Sequence, residues 1–499
     1  MANNLPTEIL FQLLDEFEYT DDQVRLLQVC RSWNVILCAK VYSRIKLWGD
    51  NKVLRFAEGL QRNPRLRPLV QELDFPCLSG SDDDESGFYD RALFHELLQS
   101  FADTDNEVAA WEKKLDQENG FAWLAVLLLL LPNLQVLDVQ WAWKPEDNDR
   151  LLWTVSRIAS KSPQVGLPLQ KLQKVSVTIF DSHDRYSVKQ FIPFLTLPSM
   201  QALHLEGCFE FDRSEGLDPS EESGGSFEIP FEIRPRTSPI REISLLDSNI
   251  LTGLCELLPG FTQLERFVYQ HTNVVDSTEN LANFRCHRFR DPLLSQRQSL
   301  RELRLNDIGV TKRTDDDDDF FYKDIEEPKQ QAWFGSLDEF TALKELRMPV
   351  YNLLDSVDGA EPSVSLDKLL PRGLEILALT KVDFTHYGML EGQLRRLLAE
   401  RQRFPSLRKI LLQTFQLEIA NCDLTRWEYD NRKEYTLEVP ERAKISFAGV
   451  SSSFKEQGID FDLIKYGDHE IVADGKVMYE ANELCSEADH LDRWNEVWP

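Results

Sequence analysis

One spacing of apolar residues recurs along most of the chain: an apolar position, two others, an apolar position, one other, and a third apolar position. It occurs at Val70, Leu73 and Phe75; at Leu134, Leu137 and Val139; at Leu172, Val175 and Val177; at Met200, Leu203 and Leu205; and at Ile240, Ile243 and Leu245. It returns at Leu264, Phe267 and Tyr269; at Leu300, Leu303 and Leu305; at Leu343, Leu346 and Met348; at Leu374, Leu377 and Leu379; and at Leu407, Ile410 and Leu412. Alternation at the last two apolar positions is strand spacing, and the segments between copies carry apolar residues three and four apart, which is helical spacing. These segments are 92–102, 108–117, 121–131, 150–159, 188–196, 250–258, 333–340 and 389–401. No single strand of this kind buries its own apolar side chains, so stacking of neighbours must build the interior. The pattern predicts an α/β fold: an irregular solenoid with parallel strands on its concave side and helices on its convex side.

Successive copies after the first stand roughly 24 to 43 residues apart, and removing about 15 to 18 residues of polar insertion from the longest steps leaves a unit of about 25. The polar runs responsible are Asp212–Ser226 and Thr311–Pro328, and a further acidic run, Ser79–Gly87, lies between the first two copies.

The amino end has a different pattern. Pro6 is placed to start a helix, because the first turn does not need its missing N–H, and Ile9, Leu10, Leu13, Leu14 and Phe17 follow at helical spacing. Thr20 and Gln23 have the form of a capping box, Val24, Leu27, Cys30 and Trp33 continue a second apolar stripe, and a third helix begins near Ser32. So short a bundle has little interior, so some of Leu5, Pro6, Ile9, Val29, Cys30 and Trp33 are expected to stay outside and to need a partner.

Leu5-Pro6, Glu8-Ile9-Leu10, Leu13-Leu14 and Val29-Cys30-Arg31-Ser32-Trp33 resemble the F-box, a helical module that docks on the Skp adaptor of cullin–RING ubiquitin ligases. The recurrent spacing resembles degenerate leucine-rich repeats, such as follow an F-box in many fungal proteins, although Cys208 alone fits the expected asparagine or cysteine ladder. The resemblance implies an F-box over residues 1–47, a repeat solenoid over 48–412 with acidic insertions near 79–87, 212–226 and 311–328, and a cap with an acidic tail over 413–499. It implies adaptor contacts at Leu5, Pro6, Ile9, Leu10, Leu13, Val29, Cys30 and Trp33, with inward packing the alternative for Leu13 and for Leu14. The function implied is substrate recognition for an SCF-type ubiquitin ligase, the solenoid holding a protein target. The alternative is a non-catalytic leucine-rich-repeat scaffold independent of ubiquitination.

Composition narrows this further. A net charge of -28 gives no basic face for phosphate contacts and disfavours both nucleic acid and anionic membrane surfaces as partners. The eight cysteines are scattered without C-x-x-C spacing, and the amino end lacks a basic and apolar leader, so free thiols and an intracellular site, cytoplasmic or nuclear, are expected. Phe121–Leu131 is far shorter than the roughly 20 apolar residues of a membrane helix and reads as a buried core helix.

No nucleophile elbow, phosphate loop or dinucleotide fingerprint occurs, and the eight histidines lack zinc spacing. Asp82, Asp84, Ser86 and Gly87 imitate half a calcium loop, but Leu93 stands where a bidentate Glu belongs; Asp315, Asp317, Asp319 and Glu326 supply acids, but Phe320 replaces the required Gly. No cofactor, no metal and no catalytic residue are therefore expected. Ser81, followed by three Asp, has the form of an acid-directed kinase site.

Residues between the last two apolar positions face away from the strand's buried side. They form a column: Asp74, Asp138, Ser176, His204, Ser244, Val268, Arg304, Arg347, Ala378 and Leu411. The neighbouring column reads Glu72, Val136, Lys174, Ala202, Glu242, Arg266, Glu302, Glu345, Ile376 and Lys409. His204, Arg266, Arg304 and Arg347 are the expected target contacts, as a basic spot suited to an acidic segment or as part of a solvated face of mixed ion pairs. Beyond 412 the spacing is lost; Lys444–Phe447 and Ile459–Leu463 read as strands, and Trp494 and Trp498 mark the acidic end.

Overall fold

The structure, a computed structural model, describes residues 5–17, 20–48, 50–77, 89–117, 120–141, 145–161, 168–179, 186–209, 236–250, 257–271, 284–307, 333–356, 359–382, 384–414, 439–465, 470–473 and 476–479. Each of the ten copies of the spacing ends in a short strand. These are β2 (Glu72–Cys77), β3 (Val136–Trp141), β4 (Lys174–Ile179), β5 (Ala202–Glu206), β6 (Glu242–Ser248), β7 (Arg266–His271), β8 (Glu302–Asp307), β9 (Glu345–Pro349), β10 (Ile376–Val382) and β11 (Lys409–Thr414). Two more flank them: β1 (Arg44–Trp48), just before the expected start of the repeats, and β12 (Asp460–Lys465), beyond their expected end.

The chain divides into two compact units, Met1–Leu246 with Thr252–Gln263, and Asp247–Leu251 with Leu264–Pro499. In the first, β1 to β6 pair in chain order, every pair parallel. In the second, β7 to β12 do the same. Helical or extended returns connect these strands, so each unit is a stretch of α/β solenoid, consistent with the predicted fold class.

Register is set from the strand entrances. The residue two before each strand's first buried position accepts from the residue at the same place one repeat on. Gln135 N donates to Gln71 O, Gln173 N to Gln135 O and Gln201 N to Gln173 O, each at 2.7 Å. The second unit repeats this with Arg301 N to Glu265 O, Lys344 N to Arg301 O and Glu375 N to Lys344 O. In the second unit this edge runs Glu265, Arg301, Lys344, Glu375 and Arg408, and Glu375 accepts from Lys344 at 2.6 Å and pairs with Arg408 at 3.4 Å. The hydrogen bond from Lys344 and the two nearby charges hold the Glu375 carboxyl below its ordinary range.

The apolar strand positions are sealed: Leu73, Leu137, Val175, Leu203, Leu303, Leu346, Leu377 and Ile410 are all buried. In the first unit the returns are helices α4 (Asp50–Arg62), α5 (Arg91–Phe101), α6 (Asp105–Asp116), α7 (Gly120–Leu130) and α8 (Pro145–Lys161). The uniformly apolar α7 packs between α4 and α8, as a helix with no polar stripe must, since it has no face to give to water. Segment 188–196 is one 3-10 turn, Val188–Phe191, followed by the short α9 (Ile192–Leu195). In the second unit, 389–401 falls within a helix over Tyr387–Ala399 and a short 3-10 turn. No helix among the described residues is long and apolar enough to cross a membrane.

Two elements differ from expectation. Segment 333–340 is coil and turn, because Gly335 takes φ 99° and lets Arg290 lie across it, its Cδ 2.7 Å from where a Cβ would stand. Lys444–Phe447 lies inside a helix, Glu441–Glu456, whose buried face is Ala443, Phe447, Val450 and Phe454 at three- and four-residue spacing. The expected acidic insertions, most of 250–258 and the Trp-bearing end lie outside the described residues.

Gly359 gives a direct test of the loop that precedes β10. It sits at φ 76°, and a Cβ there would stand 2.0 Å from the Thr385 carbonyl oxygen. Gly359→Ala combines a left-handed backbone with a backbone clash, and is expected to cost about 2 kcal/mol, seen as a lowered thermal midpoint.

Candidate partner-docking site

The first three helices are α1 (Thr7–Asp15), α2 (Thr20–Leu27) and α3 (Arg31–Ser43). Pro6 occupies the cap position before α1, not its first turn, and its carbonyl accepts from Ile9 N and Leu10 N at 3.1 Å. Gln23 donates its amide to Phe17 O at 2.7 Å, which ties α2 back to the end of α1. Asn34 donates to Leu27 O at 3.3 Å across the turn into α3, and Lys40 reaches Asp15 at 3.8 Å.

The module closes on Leu10, Leu14, Leu27, Trp33, Leu37 and Val41, with Phe11, Leu13, Val24, Leu26, Cys30, Ile36 and Tyr42 packed around them. Trp33, Leu37 and Val41 recur every fourth residue on one side of α3, so the indole points into the bundle and only 6% of Trp33 is exposed. Leu10 is buried on α1 for the same reason. This corrects the expectation of adaptor contacts at Trp33 and Leu10: neither has surface to offer, and both hold the module together. Leu13 and Cys30 are partly buried, and Cys30 caps α3 without a side-chain hydrogen bond.

The outward residues are Leu5, Pro6, Ile9 and Val29, with exposures of 41% for Leu5, 44% for Ile9 and 51% for Val29. Val35, on the side of α3 opposite Trp33, is 79% exposed, a position the sequence reading did not single out. Among the described residues six large apolar side chains are exposed, and four of them lie between residues 5 and 35. Scattered single exposures are ordinary, but this concentration in one small module is not.

α3 runs into β1 without an intervening loop: Ser43 ends the helix and Arg44 begins the strand. Gln71 N donates to Ser43 O at 2.9 Å, and Arg44 pairs with Glu72 at 3.4 Å. The helical module is thus built onto the first strand of its unit.

The outward strand columns align as the sequence predicts. In the first unit Lys46, Asp74, Asp138, Ser176, His204 and Ser244 stand in register. His204 is buried, its Nε2 3.7 Å from Glu242 Oε1. In the second unit Val268, Arg304 and Arg347 align, beside Arg266, Glu302 and Glu345. Glu302 Oε1 lies 3.1 Å from Arg266 Nε and 2.5 Å from Arg304 Nε, and Glu345 Oε1 lies 2.8 Å from Arg304 Nη2. Of the two expectations, a basic spot and a face of mixed ion pairs, the side chains form the second, an Arg–Glu–Arg–Glu ladder, with Arg347 buried beside it. The signal was in the sequence: each Arg of Glu302-Leu303-Arg304 and Glu345-Leu346-Arg347 is preceded by a Glu on the same strand face. No grouping of three or more metal-ligating side chains occurs among the described residues.

A family model described as F-box-like matches residues 2–47, and one described as a leucine-rich repeat domain matches residues 222–431. The chain carries an F-box-like module and leucine-rich repeats. No curated protein matches it. The three-helix module occupies the F-box-like match, and β7 to β11 lie within the repeat match. The same strand spacing and parallel register extend through β2 to β5, before that match begins.

Proposed function

We propose that this F-box protein is a substrate-recognition subunit of a cullin–RING ubiquitin ligase of the SCF type. Its F-box docks on a Skp-family adaptor through Leu5, Pro6, Ile9 and Val29, with Leu13 and Cys30 at the rim of the contact. The observation that carries the reading is the concentration of exposed apolar side chains on a module whose own core is already closed. Burying such side chains contributes about 1.5–3 kcal/mol each, enough for a few anchors to dominate an interface.

The repeats hold the protein target, on a strand face where Arg266 and Arg304 offer half-buried guanidinium groups. A target carboxylate engages them by competing with Glu302 and Glu345, which favours selectivity over raw affinity. The chain itself performs no bond chemistry in this reading. It raises the effective concentration of target lysines near the charged thioester on another subunit, and the loop-free passage from α3 to β1 supports that role, since a stiff connection wastes less of it.

A pull-down of the tagged full chain is expected to carry a Skp-family adaptor and a cullin, and a chain lacking residues 1–47 is expected to lose both while still capturing other proteins. Capture of other proteins by the full chain with adaptor and cullin absent points instead to a scaffold that works without ubiquitination.

A further inference from the structure

Helices α5 and α6 are joined by only Ala102, Asp103 and Thr104, and Asp103 to Asn106 are exposed at the bend. Thr104 caps α6 in extended conformation, its Oγ1 accepting from Glu107 N at 3.2 Å, while Glu107 Oε2 accepts from Asp103 N at 2.7 Å. This reciprocal pairing stabilises the bend without burying the threonine hydroxyl.

A cation from a different helix reaches this turn. Arg157, on α8, lies over the rings of Trp153 at 4.9 Å and Phe101 at 5.4 Å. Its Nη2 touches the Asp103 carboxylate and its Nη1 stands 3.7 Å from Glu107 Oε2, so its two carboxylate partners sit one residue before and three residues after Thr104. The Arg157 side chain is only 10% exposed, yet its Nε has no hydrogen-bond acceptor among the described residues. A guanidinium gripped by two rings, directed at an exposed turn and incompletely satisfied, is preorganised for a stronger acceptor than the carboxylates it now meets.

The residues around the hydroxyl indicate which acceptor. Thr104 has Asp103 before it, Asp105 after it and Glu107 three residues on, the environment that acid-directed protein kinases select. We propose that Thr104 is a phosphorylation site for a kinase of that class and that Arg157 clamps the phosphothreonine. Thr104 Oγ1 forms a bond to the γ-phosphorus of ATP, the bond from that phosphorus to the β–γ bridging oxygen breaks, ADP leaves with the oxygen, and the hydroxyl proton passes to the kinase's base. The product adds about -1.5 to -2 charges at the N-terminus of α6, where unpaired backbone N–H groups and the helix dipole favour an anion. Arg157 supplies a planar fork of donors from which a phosphate accepts bidentately, with more negative charge to meet than either carboxylate offers. Modification thereby exchanges the Asp103 and Glu107 contacts for one stronger bridge between the α5–α6 turn and α8.

The test uses the full chain, incubated with a recombinant acid-directed kinase and ATP. Mass spectrometry is expected to place a phosphate on Thr104, and Thr104→Asn, which keeps a capping side chain, removes it. Phosphorus NMR then titrates the phosphothreonine, whose second ionisation is expected about half a pH unit or more lower in the parent than in Arg157→Gln, because the guanidinium favours the dianion. Arg157→Lys, which keeps a cation over Trp153 but loses the fork, serves if the glutamine variant is unfolded, and is expected to titrate above the parent. Absence of phosphate on Thr104 overturns the proposal, and so does a titration that the folded Arg157 variant leaves unchanged.

Discussion

Trp33→Ala is expected to loosen the F-box itself, at a cost of about 3–5 kcal/mol, because the indole fills the centre of a small core instead of standing on its surface. Leu10, Leu14, Leu27, Leu37 and Val41 are the rest of that core, and the side chains packed around it, Phe11 and Tyr42 among them, would give up their present contacts to fill the space. The cavity would be shared among three short helices, the longest of 13 residues, which depend on tertiary packing more than on their own propensity. Hydrogen exchange at the amides of α1 and α3 is the appropriate readout, since the repeats keep their own core and can mask the loss in a global melt. Accelerated exchange across both helices is expected. Exchange unchanged, with only adaptor binding lost, would show that Trp33 acts as a surface anchor after all.

The combined Ile9→Asp and Val29→Asp variant is expected to do the reverse. Both side chains are already close to half in water, so the folded module loses little. An adaptor closing over them would have to desolvate two carboxylates in place of two hydrocarbons. Hot-spot losses of about 2 kcal/mol correspond to roughly 30-fold in affinity, and two introduced charges are expected to exceed that. Calorimetric titration with purified adaptor, alongside exchange at α1 and α3, separates this outcome from the first. Val35→Asp extends the comparison to the position that only the structure brought forward.

Much of the repeat fold was legible because a parallel strand buried on one face leaves a rigid trace in sequence. The Leu-x-x-Leu-x-Leu spacing fixed β2 to β11 and both outward columns. The two outer strands were harder. Tyr42, Ile45 and Leu47 obey the same spacing, but they follow a helical stripe that ends at Val41, so periodicity alone gave no boundary. The strand at Ile459–Leu463 was legible, but with Gly458 at the first apolar position before Phe461 and Leu463 nothing marked it as one more repeat. Lys444–Phe447 misled because four residues cannot tell a strand from the buried side of a helix; Val450 and Phe454 decide the period only over a longer window.

The candidate sites were legible in kind more than in detail. The amino-terminal apolar positions announced a module with surplus hydrophobic surface, but which of them faced outward depended on where α3 begins. With the helix starting at Arg31, Trp33 joins Leu37 and Val41 on the inner side, and Val35 turns out to water. The two columns of the second unit left a basic spot and mixed ion pairs both open, and only the distances from Glu302 and Glu345 to the arginines decide for the pairs. Arg157 left no trace at all, because the α5–α6 turn and α8 meet only in three dimensions.

Titration of a purified Skp-family adaptor into the intact, folded chain tests the central claim most directly. Saturable binding that the Ile9→Asp and Val29→Asp variant loses, with exchange protection in α1 and α3 preserved, is the predicted result. A folded chain that ignores the adaptor, or a double variant that binds it as tightly as the parent, would contradict the account.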